Sequence, residues 1–307
     1  MQSAYPIDPA LTAIAIAYAN PGYIADQVAP RIPVNKQEFT FMKYDIDQNF
    51  NIPDTRVGRK SKPNEVELTG AEVTDSTEDH GLDGGVPNAD IANADARYDP
   101  LGNEVAYLNE LIALAREKRV SNVVHNAASY PVGLKETLSG TGQFTHASSD
   151  PIGKVSGALD IPIVRPNQMV FSQYGWTKFR ALPAIVEAVL GTGASKGLVS
   201  REAVAALFEV QEVVVGTARA NAARRGQAPV LTRLWGKHLA LLHKAPVPQA
   251  KGALQFMGTF EWGSRIASQW EDKNMGMRGG IAVRTGESLK ERVIADQAGY
   301  FFEDAFA

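Results

Sequence analysis

DPLGNEVAYLNELIALAREKRVSNVVHN, residues 99–126, is the stretch around which the rest of the chain is organised. Asp99 has the chemistry of an N-cap, a carboxylate able to accept from the orphan amides of a first helical turn, and Pro100 suits the first helical position. Leu101, Val105, Leu108, Ile112 and Ala115 then recur at spacings of three and four, an apolar stripe widened by Leu111 and Leu114. Glu104 and Glu110 lie toward the start, and Arg116, Lys118 and Arg119 toward the end, the order a helix dipole favours; it predicts solvated basic residues at that end. At ~1.5 Å per residue the segment is roughly 40 Å long, the span of a domain. It is expected to act as a spine with its stripe buried.

Residues 1–36 read as an N-terminal arm. Asp8 and Pro9 can open a short helix with Leu11, Ile14 and Tyr18 on one side, after which Pro21, Pro30 and Pro33 stop any longer element. Residues 37–90 read as an extended loop. From Glu38 to Ile46, Phe39 and Phe41 alternate with Thr40, Met42 and Tyr44, the period of a strand. A polar excursion carries Arg56, Arg59, Lys60 and Lys62, and Glu65–Thr74 returns as a second extended run. Such a hairpin holds too little apolar material to bury itself. Residues 50–80 are therefore expected to add little to the subunit's own core, with a neighbouring copy as their support. Phe39, Phe41, Arg56, Arg59, Lys60, Lys62 and Glu65 are the candidate inter-subunit contacts.

After the spine, Tyr130-Pro131, the Ser-, Thr- and Gly-rich Leu138–Asp150 and Pro162 mark loops and a boundary. Residues 91–160 thus form one unit built on the spine, and 161–284 a second. In the second, strands are expected at Met169–Ser172, Val210–Val215, Trp235–Lys244, Leu254–Trp262 and Ile281–Thr285. Helices are expected at Gly175–Ala181, Ala184–Leu190 and from the cap Ser200 through Phe208. Leu289–Asp296 and Tyr300–Ala305 read as a terminal strand pair turning at Ala298-Gly299. Residues 285–307 would return to the first unit. Phe301, Phe302, Trp176 and Phe179 are expected in the core.

The chain has 307 residues, 44% hydrophobic and 21% charged, enough for one large or two smaller domains. The absence of Cys removes disulfides, thiolate nucleophiles and most structural zinc sites. With 31 basic and 34 acidic residues the formal charge is −3, so no global field draws the chain onto nucleic acid. No run approaches the ~18 apolar residues of a membrane span, and the first residues lack the basic start of a secretory signal.

Four constellations invite chemistry. Gly193-Ala194-Ser195-Lys196-Gly197 is a literal G-x-S-x-G, but a nucleophile elbow needs a strand before the serine and here a helix precedes it. Asp75, Glu78, Asp79, His80 and Asp83 offer oxygen ligands without the spacing of a calcium loop, and a solvated loop tip accounts for them. His238 and His243, five apart in an expected strand, fall on opposite faces. Arg219, Arg224 and Arg225 with Asn221 lack the interleaved aromatic platform of single-strand binding and read as solvated helix ends. No catalytic residue, cofactor or metal site is assigned.

The order of parts, arm, long hairpin, spine helix, separate α/β unit and terminal return, resembles the major capsid proteins of tailed bacteriophages, the Hong Kong 97-like fold, an α+β class. Arg165-Pro166-Asn167 through Trp176, Leu182-Pro183 and Val189 look like the strand and helix that open the axial domain of that family. Thr232–Leu242 and Ser288–Ala305 look like its later strands and closing return. The resemblance implies a peripheral domain on the spine, an axial domain at 161–284, and a virion shell of hexamers and pentamers of this chain, assembled in the host cytoplasm. It also implies double-stranded DNA contacted weakly and without sequence specificity, a separate scaffolding protein, a portal and in some members a decoration protein. Lys60 and Lys62 sit where some members crosslink lysine to asparagine, though no partner is identifiable here. An encapsulin-like compartment and, from a different class, a serine hydrolase using Ser195 are the competing readings.

Overall fold

The computed structural model describes residues 22–44, 51–67, 70–95, 98–191, 193, 196–224, 226–247 and 254–307. A one-turn helix α1 (Ala25–Val28) leads into β1 (Arg31–Val34), β2 (Glu38–Tyr44), β3 (Gly70–Ser76) and β4 (Glu78–Pro87). Helix α2 (Asn88–Ala92) precedes the spine α3 (Pro100–Val124), followed by β5 (Lys135–Thr137) and α4 (Pro151–Asp160). Then come β6 (Gln168–Ser172), α5 (Gln173–Phe179), α6 (Pro183–Leu190), α7 (Arg201–Leu207), β7 (Glu212–Gly216), β8 (Arg219–Asn221) and β9 (Leu231–Arg233). The chain closes with β10 (Leu239–Leu242), β11 (Met257–Trp262), β12 (Ile266–Asp272), β13 (Gly280–Val293) and β14 (Gly299–Glu303).

The spine begins as expected. The Asp99 carboxylate accepts from the Leu101 amide at 3.1 Å, and Pro100 opens the helix. Its buried face runs through Val105, Leu108 and Ile112, but Ala115 is exposed and the burial passes instead to Arg116, Glu117, Val120 and Val124. Four-residue steps from Leu108 lead through Ile112 to Arg116, so the stripe continues in phase through a charged residue. The expectation that Arg116 is solvated is thus corrected.

Two sheets of five strands share the spine. In the first, β1, β11, β13 and β12 follow one another and β4 adds to the other edge of β13. Here β1 runs parallel to β11, with Arg31 opposite Thr259. The N-terminal half of the spine lies over this sheet, where Val105 packs with Ala267 and Val283.

The second sheet runs β5, β14, β10, β6, β7 and is buried on both faces. Period-two alternation divides its side chains. Met169, Phe171, Val213, Val215, Leu239, Leu241, Tyr300 and Phe302 face a core closed by α4–α7, with Trp176, Phe179 and Ile185. Val170, Val214, Ala240, Leu242 and Phe301 face Val120 and Val124 of the spine together with Ile24, Val28 and Trp235. Phe301, Phe302, Trp176 and Phe179 are core residues as expected.

Several boundaries differ from expectation. Asp150 and Pro151 repeat the cap signature of the spine: Asp150 accepts from the Gly153 amide at 2.9 Å and opens α4, in a stretch expected to stay irregular through Pro162. Ile281–Thr285 and Leu289–Asp296 are one strand, β13. β14 does not pair with it but enters the second sheet beside β10, so the expected terminal strand pair is absent. Sheet membership accordingly crosses the boundaries at 160, 284 and 285: Val155 and Leu159 lie in the second core, β11 and β12 lie beside the spine, and the C-terminal strand returns to the second sheet. Within residues 1–36, β1 is an integral strand of the first sheet.

Candidate assembly surfaces and the charges that fix them

β2 and β3 pair antiparallel over their whole length, Glu38 opposite Ser76 and Tyr44 opposite Gly70, which builds the expected hairpin as a ribbon. Phe39 and Phe41 fasten its root. The Phe39 ring stacks on Phe260 of β11 at 4.3 Å between centroids and Phe41 on the same ring at 5.3 Å, so both are engaged within their own subunit. Beyond the ribbon, every residue from 51 to 67 is exposed, including Ile52 and Val66. Arg56, Arg59, Lys60, Lys62 and Glu65 all stand on this stretch, and Lys62 pairs with Glu65. Local bonds give it shape: Asp54 accepts from the Arg56 amide at 2.9 Å, Asn64 donates to the Asp54 carbonyl at 2.9 Å, and Gly58–Ser61 makes a turn.

The acidic group that suggested a metal is a set of anchors, and among the described residues no His, Cys, Asp or Glu cluster could hold an ion. Asp83 takes a two-pronged bond from Arg284, Nε to Oδ1 and Nη2 to Oδ2, both at 2.6 Å. Glu78 pairs with Lys290 and Asp75 with Arg292. The carboxylates sit on β3 and β4 and the cations on β13, not on a solvated loop tip. Residues 78–87 are therefore a strand of the first sheet while 70–76 pair with β2 alone, and among the described residues from 51 to 80 only Thr77 is buried, in keeping with the expectation that residues 50–80 add little to the subunit's own core.

Under the spine lies a network of buried charge. The Glu117 carboxylate accepts from the amides of Ile24 and Ala25, at 3.0 and 2.8 Å, and from the Trp235 indole at 2.6 Å. Burial raises its pKa although all three donors favour the charged form. The neighbouring Arg116 donates to Asp26 at 2.7 Å, to the Ala29 carbonyl at 3.3 Å and to Thr259 at 3.2 Å. Two consecutive spine residues therefore grip α1 at its two ends, anion at the amino end and cation at the carboxyl end, the polarity a helix dipole favours. Arg31 extends the network to Glu261 at 2.7 Å and Glu287 at 2.9 Å, and Arg265 meets Glu287 at 2.8 Å. Burial acts to raise Asp26 and Glu287, but the guanidinium groups around them outweigh it and hold both below the ordinary carboxylate range.

At the far end of the spine His125 and His238 lie 4.8 Å apart between ring centroids, with Phe301 against both and Trp235 edge-on to His125. Burial, with His238 adding to it, pushes His125 down to about 3. His238 Nδ1 accepts from the Asp304 amide at 3.0 Å, so its ring proton sits on Nε2. His243 lies across β10 from it and bonds the Arg165 carbonyl; the two are not co-ligands. Arg219 and Asn221 lie on β8 rather than on a helix end. Ser195 and Arg225 lie outside the described residues. Sequence reasoning missed Glu117, His125 and Phe260. The four-residue phase of the stripe signals Arg116, but nothing local shows that Trp235 or Ile24 awaits Glu117.

A spine helix across one mixed sheet, a second sheet closed by short helices and a ribbon projecting past both define the Hong Kong 97-like class of shell subunit. No protein-family model matches the chain. The major capsid protein of Pseudomonas phage JBD67 is 48% identical over 303 residues, covering 99% of this chain and 98% of that protein. The major capsid protein of Burkholderia phage BcepMu is 26% identical over 254 residues, 81% and 79% of the two chains. Among solved structures, a phage-related protein from Bordetella bronchiseptica RB50 superposes with a TM-score of 0.78 at 23% identity, covering 99% of this chain and 98% of its own. The capsid of Cyanophage P-SCSP1u gives 0.59 at 10% identity, covering 99% and 90%. The chain belongs to the phage major capsid proteins, and its place is the capsid of the virion.

Proposed function

We propose that this chain assembles with copies of itself, as hexamers and pentamers, into an icosahedral phage head around double-stranded DNA, and that it has no enzymatic activity of its own. The observation that carries this reading is 48% identity to a phage major capsid protein over nearly the whole length of both chains. Residues 51–67 would lie on a neighbouring subunit, since a fully exposed segment with internal shape but no core of its own gains most of its burial in an assembly. The net charge of −3 suits a container whose wall holds DNA without adhering to it tightly. A separate scaffolding protein, a portal and a decoration protein complete the proposed set of partners. Electron microscopy of the expressed protein tests the reading, with closed shells expected; discrete monomers under all conditions would overturn it. Ser195→Ala should change neither shell formation nor background ester hydrolysis, and loss of a measurable turnover in that variant would favour the hydrolase.

A further inference from the structure

Charge along this chain is segregated in a way its near-neutral total conceals. Residues 65–110 carry twelve carboxylates against one arginine, Arg97, whereas residues 213–260 carry seven Lys and Arg and no Asp or Glu. The structure sets the last part of the acidic run, Asp90, Asp95 and the Asp99 cap, and the β8–β9 part of the basic run at opposite ends of the spine, while Asp75 and Glu78 lie along β13 and are paired there with Arg292 and Lys290. The acidic run leads through α2 to the Asp99 cap, while the basic run holds the β8–β9 ribbon, whose root meets the spine where Ser121 donates to the Leu234 carbonyl at 2.6 Å. Asp99 and Ser121 are about 33 Å apart along the helix at ~1.5 Å per residue. Within one subunit the two ends do not meet.

The ribbon itself is incomplete as a monomer surface. Both faces of β9 are exposed, and an isolated two-stranded ribbon is marginal in water. Arg219 and Arg233 stand directly opposite each other across it, a like-charge pair that costs stability unless an anion lies between them. Neither these two nor Arg224 meets a carboxylate among the described residues, whereas Arg31, Arg116, Arg119, Arg284 and Arg292 all do. The tip is nevertheless shaped, because Asn221 Oδ1 accepts from the amides of Ala223 at 3.0 Å and Val230 at 2.9 Å. Val230 and Leu231 are exposed beside the arginines. At the acidic end, Asp90 and Asp95 have no cationic partner among the described residues, and Tyr98 and Tyr107 are each 58% exposed.

We infer that the β8–β9 ribbon docks on the acidic end of the spine of a second copy of this chain, Arg219, Arg224 and Arg233 meeting Asp90 and Asp95 with Tyr98 and Tyr107 beside them. Arg and Tyr are the residues that anchor interfaces, and the exposed Val230 and Leu231 suit a protein surface better than phosphates. Because each copy carries a basic end and an acidic end, the contact is head-to-tail, the type that closes into rings. It deepens the self-assembly reading and rests on it.

The test is charge reversal read by sedimentation of assembling protein. Arg219→Glu converts the opposed pair into an ion pair with Arg233, so the ribbon keeps its stability, confirmed by an unchanged thermal midpoint. Combined with Arg224→Glu it should raise the protein concentration needed for assembly at least about tenfold, since like charges are brought together. Adding Asp90→Arg and Asp95→Arg in the same chain should restore assembly. Assembly of the reversed variant at the wild-type concentration overturns the inference, as does normal assembly with reduced retention of double-stranded DNA, which would assign the ribbon to phosphate. A wild-type chain that never associates counts against the shell reading itself, while wild-type shells with an indifferent variant count against this contact alone.

Discussion

Glu117 is the residue whose surroundings ask most of its side chain, because one carboxylate satisfies two backbone amides and an indole. Glu117→Gln keeps the shape but offers one oxygen in place of two, so a donor is left unpaired at a cost of ~1–3 kcal/mol. Urea unfolding should report that loss, and an unchanged midpoint would mean water replaces the missing acceptor. His125 sets a pH dependence. Its pKa of about 3 in the folded chain lies below the unfolded value of 6.5, so the unfolded chain binds the extra proton first as the pH falls. The stability that neutral His125 contributes is complete above pH 6.5 and is lost progressively toward pH 3. Asp26 and Glu287, held low by their guanidinium partners, push in the same direction at the acid end. Thermal melts from pH 7 to pH 4 should therefore slope less in His125→Gln than in the parent; identical slopes would show that the ring takes up its proton without penalty.

Elements differ in how far their residues announce them. The first half of the spine, α6 and α7 are legible because a cap or a proline marks the start and apolar residues recur at helical spacing. β13 is not, because Gly286-Glu287-Ser288 has the composition of a turn. In the sheet Gly286 faces Gly81 of β4, and a Cβ there would stand 2.8 Å from the His80 carbonyl oxygen. The glycine is required by close backbone approach rather than by a change of direction, and the partner strand that imposes it lies about two hundred residues away. α4 carries the same signature, Asp150-Pro151 repeating Asp99-Pro100, but the Ser- and Gly-rich stretch before it has the composition of a loop and masks the cap. The buried network was the least legible part: a stripe interrupted by Arg116 and Glu117 looks like an ending when its charges are matched from α1, from Thr259 on β11 and from Trp235. Leu108, 4% exposed, tests the spine as an element. Leu108→Asp places an unpaired carboxylate under the helix and should cost several kcal/mol, on the order of 3 or more, leaving little soluble folded protein. A soluble variant with an unchanged thermal midpoint would show that the helix can turn that position to water.

At the scale of the molecule, a folded subunit should be separable from an assembling one. Tyr44 and Gly70 are cross-strand partners, so residues 45–69 can be replaced by a short Gly-Ser turn that closes the ribbon without moving its root. Circular dichroism should show a folded chain, because Phe39, Phe41 and the β4–β13 ladder remain; sedimentation should show no shells. Closed shells from this variant would remove residues 51–67 from the interface. The parallel pairing of β1 with β11 carries a consequence of another kind, in time. Arg31 sits beside Thr259, so the first strand leaves the ribosome 228 residues before its neighbour. At ~5–20 residues per second that interval is about 10–45 s, during which Arg31 has neither Glu261 nor Glu287, and β4 has no β13 to lie against. A nascent chain thus has the sequence of its assembly ribbon long before it has the sheet that aims it, and a polypeptide truncated short of Val293 is not a smaller shell subunit but an unfinished one.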